Sequence, residues 1–255
     1  MPIRIDEVTS TDAVTTLAIG DSGSGKSIAM CSYPGPVLNI NLDDRIRPIV
    51  EYYRGSRTDI YFERPSNFSE LDDIVDGLEN TCPYKTVILD PVTNLSQLLL
   101  DYSTKLTGKD KGKKKGTIEV ATIEDYNVET KGMSDIIHNL KLAGKIHNTN
   151  IVFIAHLLTV THQKPGGAIS HTTQSILTAG KKIAAYIPTQ FDEVYYFFTE
   201  TIDGKPRYKV RTFNDGQVAA RTSFLSMPGE FDWTDNLNFY GGISKFFGGG
   251  KKNEN

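Results

Sequence analysis

Residues Gly20 to Ser27 read GDSGSGKS, and this stretch decides the fold. It matches GxxxxGK[ST], a glycine-rich turn whose backbone N–H groups close around phosphate oxygens. Its surroundings agree with that reading. Thr15 to Ile19 (TTLAI) has the apolar content of a short buried strand, and Lys26 to Tyr33 reads as a helix stopped by Pro34. A strand, a glycine loop and a helix in that order put a helix N-terminus, with its partial positive charge, beside the bound phosphate. The expected nucleotide-binding set is Gly20, Asp21, Ser22, Gly23, Ser24, Gly25, Lys26, Ser27 and Ile28. Lys26 is expected to reach the terminal phosphates as a point charge, and the Ser27 hydroxyl to coordinate magnesium, which keeps only a few protein oxygens among its ligands. ATP with Mg2+ is the expected cofactor pair.

Working outward, Pro36 to Leu42 (PVLNINL) reads as a second strand ending on Asp43 and Asp44, followed after an irregular stretch by a helix over about Asn67 to Leu78. Thr86 to Leu89 is a third strand. It ends on Asp90 and passes into a helix through about Leu106. Lys105 to Lys115 (KLTGKDKGKKK) holds six lysines and one aspartate, a composition that cannot bury a core and is expected to form a mobile loop. A long helix is expected over Asp125 to His147, with Met133, Ile136, Ile137, Leu140 and Leu142 on one side. Ile151 to Ala155 is a fourth buried strand ending on His156. After a polar stretch from Thr159 to Gly180 come a short helix at Lys181 to Tyr186 and a strand at Glu193 to Phe198. Asp203-Gly204 and Asp215-Gly216 mark hairpin turns, with Tyr208 to Thr212 and Val218 to Thr222 as antiparallel strands.

The fold class is therefore α/β, a mainly parallel sheet flanked by helices with antiparallel strands added late. The expected division is an N-terminal segment at 1–14, one ATPase domain at 15–245, and a flexible tail at 246–255. With 28 basic against 31 acidic residues and a net charge of -3, no global bias toward nucleic acid or an anionic membrane exists, so such binding needs a local patch. Cys31 and Cys82 form no CxxC pair, which argues against a disulfide framework or zinc site and for a reduced, cytoplasmic setting. No apolar run spans a bilayer, and the opening MPIRIDEVTS lacks the core of a secretion signal.

Hydrolysis needs more than a phosphate cradle. An acidic group beside the magnesium is met by Asp90, expected to end a strand next to that of the phosphate loop; the same residue also suits a helix N-cap. A group that orients the attacking water is met by Asp43 or Asp44, which equally suit an exposed acidic turn. His156 points toward the phosphates if its strand neighbours that of Asp90, or else is structural.

The order of GDSGSGKS, NINLDDRIRP, TVILDPVTNL, VFIAH, AGKKIAAYIPTQFDEVYYF and YKVRT resembles the RecA-like ATPase core, and more narrowly the phage-encoded RecA-like single-strand annealing proteins, from about Thr15 to Phe224. The resemblance implies ATP hydrolysis coupled to single-stranded DNA by a homo-oligomer with ATP at its subunit interfaces. Asp43 falls where that family has a catalytic glutamate, with a side chain shorter by one C–C bond, about 1.5 Å; Asp44 is the substitute. His156 falls at the family's sensor of the terminal phosphate. Lys209 and Arg211, two apart on a strand and so on one side of it, match the region that supplies a basic finger to a neighbour's site, or else are solvated strand charges. Lys105 to Thr117 and Leu157 to Gly180 fall where the family has DNA-binding loops, which makes Lys109, Lys111, Lys113, Lys114 and Lys115 the DNA-binding candidates. A ring-forming DNA motor, a helicase or packaging ATPase, shares this core and is the alternative. A non-motor P-loop protein, either a small-molecule kinase or a nucleotide-dependent regulatory module, is the less favoured alternative, and a metabolic kinase is disfavoured because the lysine-rich stretch lacks the arginines of a phosphate lid.

Overall fold

A computed structural model describes residues 13–111, 114–115, 118–119, 121–164, 169–235 and 238–247. In chain order the elements are β1 (Thr15–Gly20), α1 (Lys26–Met30), β2 (Val37–Asn41), α2 (Arg47–Tyr53), β3 (Ile60–Glu63), α3 (Phe68–Asn80), β4 (Thr86–Asp90) and α4 (Val92–Lys111). A small hairpin of β5 (Lys114–Lys115) and β6 (Ile118–Glu119) precedes α5 (Ile123–His147). Then follow β7 (Asn150–Gln163), β8 (Ile169–Ile176), α6 (Lys181–Tyr186), β9 (Glu193–Ile202), β10 (Lys205–Arg211), β11 (Glu230–Asp232) and α7 (Phe239–Ile243).

The main sheet runs β11-β10-β9-β1-β7-β4-β2-β3, with β8 paired to β7. Its six strands from β9 to β3 are parallel, and β10 is antiparallel to β9 and β11. The central strands are apolar on both faces, as a sheet covered on both sides requires. Leu17 and Ile19 of β1, Leu38 and Ile40 of β2, Val87 and Leu89 of β4 and Phe153 of β7 enter the core beneath α3 to α6. Their alternates Ala18, Val37, Ile88, Val152 and Ile154 enter a second core beneath α1, α2 and α7. This period of two has a functional consequence. Asn39, Asn41, Asp90 and His156 continue the second set, so all four lie on the sheet face that α1 covers.

The long helices are set by their caps. The Asn67 side chain accepts from the Glu70 N–H at 3.1 Å to start α3, and Thr122 with Asp125 forms a capping box at the start of α5. At its other end α5 is fixed to the amino edge of the sheet, where Asn148 closes it with φ 51° and Asn150 begins β7. With 25 residues α5 is about 37 Å long, whereas a five-residue strand such as β4 spans about 17 Å. Its first turns therefore overhang the carboxyl edge of the sheet. α4 runs outward alongside them, its Ser96 hydroxyl donating to Glu129 and its Ser103 hydroxyl to Asp125.

Several expectations are corrected. α1 stops at Met30 rather than Tyr33, because Ser32 and Tyr33 turn back in tight bends before Pro34. The irregular stretch after Asp44 contains α2 and β3. α4 continues through the expected mobile loop to Lys111, and β5 and β6 follow. Ala143, not Leu142, completes the buried stripe of α5. The polar stretch after His156 is no irregular loop: β7 runs on to Gln163 and pairs with β8. Val218 to Thr222 forms no strand and only Arg221 bridges β9, at Val194, while β10 takes β11 as its partner. Residues 248–255 of the expected tail lie outside the described residues.

Candidate functional site

The carboxyl ends of β1, β2, β4 and β7 open into a cavity of about 520 Å³, within the range of small-ligand sites. Its lining includes Ser22, Gly23, Gly25, Lys26, Ser27 and Ile28 from the glycine loop, then Asp43, Asp90 and His156. The loop conformation explains its glycines. Gly20, Gly23 and Gly25 have φ of 152°, 83° and 84°, a region that favours glycine. A Cβ on Gly20 would also stand 2.1 Å from the Phe197 carbonyl oxygen.

Lys26 is 4% exposed and folds over its own loop, its Nζ donating to the carbonyl oxygens of Gly20 at 2.8 Å and Asp21 at 2.6 Å. Burial lowers its pKa to about 8 against the opposing charges of Asp90 and Asp21. Asp90 is 5% exposed. Burial raises its pKa to about 6, held from going further by a hydrogen bond from Ser27, while the charge of Asp43 adds to the rise. The Asn39 side chain also bonds to it. Asp90 is not the residue that caps α4, because Pro91 stands between it and Val92 and the Pro91 carbonyl accepts from the Leu95 N–H.

One expectation about Asp90 fails. Its strand is not next to β1; β7 lies between them. The carboxylate still meets Ser27 because β4 ends on the α1 side of the sheet. His156, on that intervening β7, is in register with Gly20. It is half-buried, and burial with the charge of Lys26 holds its pKa below the usual histidine range.

The two acidic neighbours separate. Asp43 lines the cavity, accepting from the Arg45 N–H at 3.1 Å. Asp44 has φ 61°, its side chain is 74% exposed, and it pairs with Arg64 at 2.5 Å outside the cavity. Lys209 and Arg211 share a face of β10, opposite to that of Tyr208 and Val210. Lys209 pairs with Glu200 at 2.5 Å. Arg211 pairs with Asp215 and with Glu230 and lies over the rings of Phe198 and Phe213. Neither lines the cavity of its own chain. Of the lysine-rich stretch, Lys109 and Lys111 belong to α4, Lys114 and Lys115 to β5, and Lys113 lies outside the described residues.

Sequence reading missed the far wall, formed by Pro48, Ile49 and Tyr52 of α2 and by Tyr208, Trp233 and Thr234. No local pattern marks residues 208 and 233, which only the antiparallel extension brings to the loop. Two buried asparagines in an apolar strand, Asn39 and Asn41, were a legible signal, because a polar side chain at such a position serves something specific.

The lining fits a magnesium nucleotide. It joins a cationic, N–H-rich end to an apolar and aromatic end, and it keeps the Trp233 N–H buried with no partner among the described residues. Among the described residues no group of three or more His, Cys, Asp or Glu side chains is arranged to hold a metal alone. Also among the described residues, no helix is long and apolar enough to cross a membrane. No curated protein matches the chain. The profile of the AAA domain family matches residues 12–224, from before β1 to beyond β10, and the chain belongs to that family of P-loop ATPases.

Proposed function

We propose that the cavity binds ATP with magnesium and hydrolyses it, and that the chain couples hydrolysis to single-stranded DNA in recombination or annealing, as the RecA-like phage proteins it resembles do. The observation that carries the first part is the convergence of Lys26, Ser27, Asp90, Asp43 and His156 on one cavity. Ser27 and Asp90 would hold the metal, which when bound spreads the negative charge of the phosphate oxygens. Lys26 exchanges the carbonyl oxygens of Gly20 and Asp21 for phosphate oxygens. Asp43 holds the attacking water and accepts its proton, and Arg45 beside it fixes the carboxylate. His156, neutral at pH 7, senses the terminal phosphate.

Two features support the DNA part. The lysine-rich end of α4 with β5, and the hairpin of β7 and β8, both extend from the carboxyl edge where the cavity opens. His156 stands where β7 leaves the parallel sheet for that hairpin, so a phosphate-dependent shift of its ring acts on the hairpin directly. In this reading Lys109, Lys111, Lys113, Lys114 and Lys115 contact DNA phosphates. Lys209 and Arg211 reach a neighbouring subunit's nucleotide after giving up their acidic partners. Steady-state ATP hydrolysis with and without single-stranded DNA tests the proposal. Stimulation together with salt-sensitive binding is expected; absence of both overturns the DNA part while leaving hydrolysis standing.

A further inference from the structure

We propose that Trp233 is a nucleotide-binding residue whose indole N–H donates to a phosphate oxygen of the bound triphosphate. The proposal rests on the nucleotide reading above and adds a ligand contact from beyond residue 224, where the family match ends.

Trp233 follows β11 and lines the cavity. It is 7% exposed, and its Nε1 is fully shielded with no acceptor among the described residues. Buried N–H groups are nearly always paired in folded proteins, so one left open at a ligand cavity marks a place kept for an acceptor. The ring position says which acceptor. A Cβ on Gly25 would stand 2.6 Å from Trp233 Cζ2 and 2.9 Å from Cη2, so the indole lies against the loop whose N–H groups wrap phosphate. Cζ2 is bonded to the ring carbon that carries Nε1. Nε1 therefore lies two bonds from the ring atom nearest the loop.

The ring is also held firmly. Its backbone N–H donates to the Tyr208 carbonyl at 3.0 Å. Its faces and edges meet Tyr208, Phe197 and Phe239 with centroids 5.7, 6.1 and 5.8 Å away. A donor fixed in this way is preorganised for its acceptor, since little freedom remains to be lost on binding. The same contact explains Gly25 independently of its positive φ: any side chain there would displace the indole.

Trp233 is the chain's only tryptophan, so its indole N–H gives a single 1H–15N NMR signal. Titration of the intact protein with ATP, tripolyphosphate and adenosine reads that signal directly. A downfield shift with slowed solvent exchange is expected with ATP and tripolyphosphate, and none with adenosine. A signal unmoved by bound tripolyphosphate overturns the proposal, as does one that moves with adenosine alone, which would assign the N–H to the base or sugar. Calorimetry on Trp233→Phe, which keeps an aromatic ring, is expected to show ATP and tripolyphosphate binding weakened about 10-fold; affinity equal to the wild type overturns it. If wild-type protein binds neither ATP nor tripolyphosphate, the nucleotide reading itself falls, which separates the two failures.

Discussion

The Ser27 hydroxyl donates to the Asp90 carboxylate although a whole strand, β7, separates the strands on which the two residues depend. The contact exists because β4 ends with Asp90 on the face covered by α1, and Ser27 is the second residue of that helix. A buried acid and a hydroxyl are thereby joined before any ligand arrives.

Replacing Asp90 with asparagine tests the cost of that arrangement. Burial raises the folded-state pKa to about 6 from an ordinary 3.8, so the folded state holds the proton more tightly between these values. Stability therefore falls as pH rises from about 4 to about 6, and the loss is complete above that. Asp90→Asn removes the loss. Thermal unfolding of the ligand-free variant at pH 8 is expected about 5 °C above the wild type, with no gain at pH 4. Magnesium-dependent ATP binding is expected to drop sharply in the variant, and in the wild type to weaken as pH falls below about 6.

Asp43 and Asp44 are distinguished by where their side chains go. Asp43→Asn is expected to slow hydrolysis by about 100-fold with ATP affinity nearly unchanged, as loss of a general base does. Asp44→Asn is expected to leave the rate within about 2-fold, because an exposed ion pair with Arg64 contributes little and asparagine tolerates a positive φ. Single-turnover rates at saturating ATP compare them.

Much of this was legible in the sequence. The glycine loop and the alternation of the central strands follow from residue types at fixed spacing, and the AAA domain match agrees with a P-loop ATPase. What was not legible depends on distant packing. The order of strands, which puts β7 between β1 and β4, has no local signature. The hairpin of β7 and β8 is polar, so its pairing showed in no hydrophobic pattern. Trp233 meets Gly25 only because β11 adds to β10.

The lysine-rich stretch is tested by charge removal. Replacing Lys113, Lys114 and Lys115 with alanine is expected to weaken single-stranded DNA binding and to lower the slope of log affinity against log salt by about 2. Basal hydrolysis is expected to be unchanged. Fluorescence anisotropy with a labelled oligonucleotide across a salt series measures both, and an unchanged slope would show the lysines to be only solvated.

A trans role for Arg211 is open to complementation. A Lys26→Ala subunit retains Arg211 and an Arg211→Ala subunit retains the phosphate loop, so mixing the two inactive proteins is expected to restore part of the activity. Arg211→Ala alone also loses its stacking on Phe198 and its ion pairs, with an expected cost of about 1–2 kcal/mol in denaturant unfolding. No recovery on mixing would confine Arg211 to that structural role.

The most direct measurement is phosphate release from ATP in the presence of magnesium by wild type and Lys26→Ala. The wild type is expected to hydrolyse ATP, and the variant to lose about 1000-fold in rate while its circular dichroism spectrum stays that of the wild type. Hydrolysis by Lys26→Ala at the wild-type rate would contradict the assignment of this cavity as the site of the reaction.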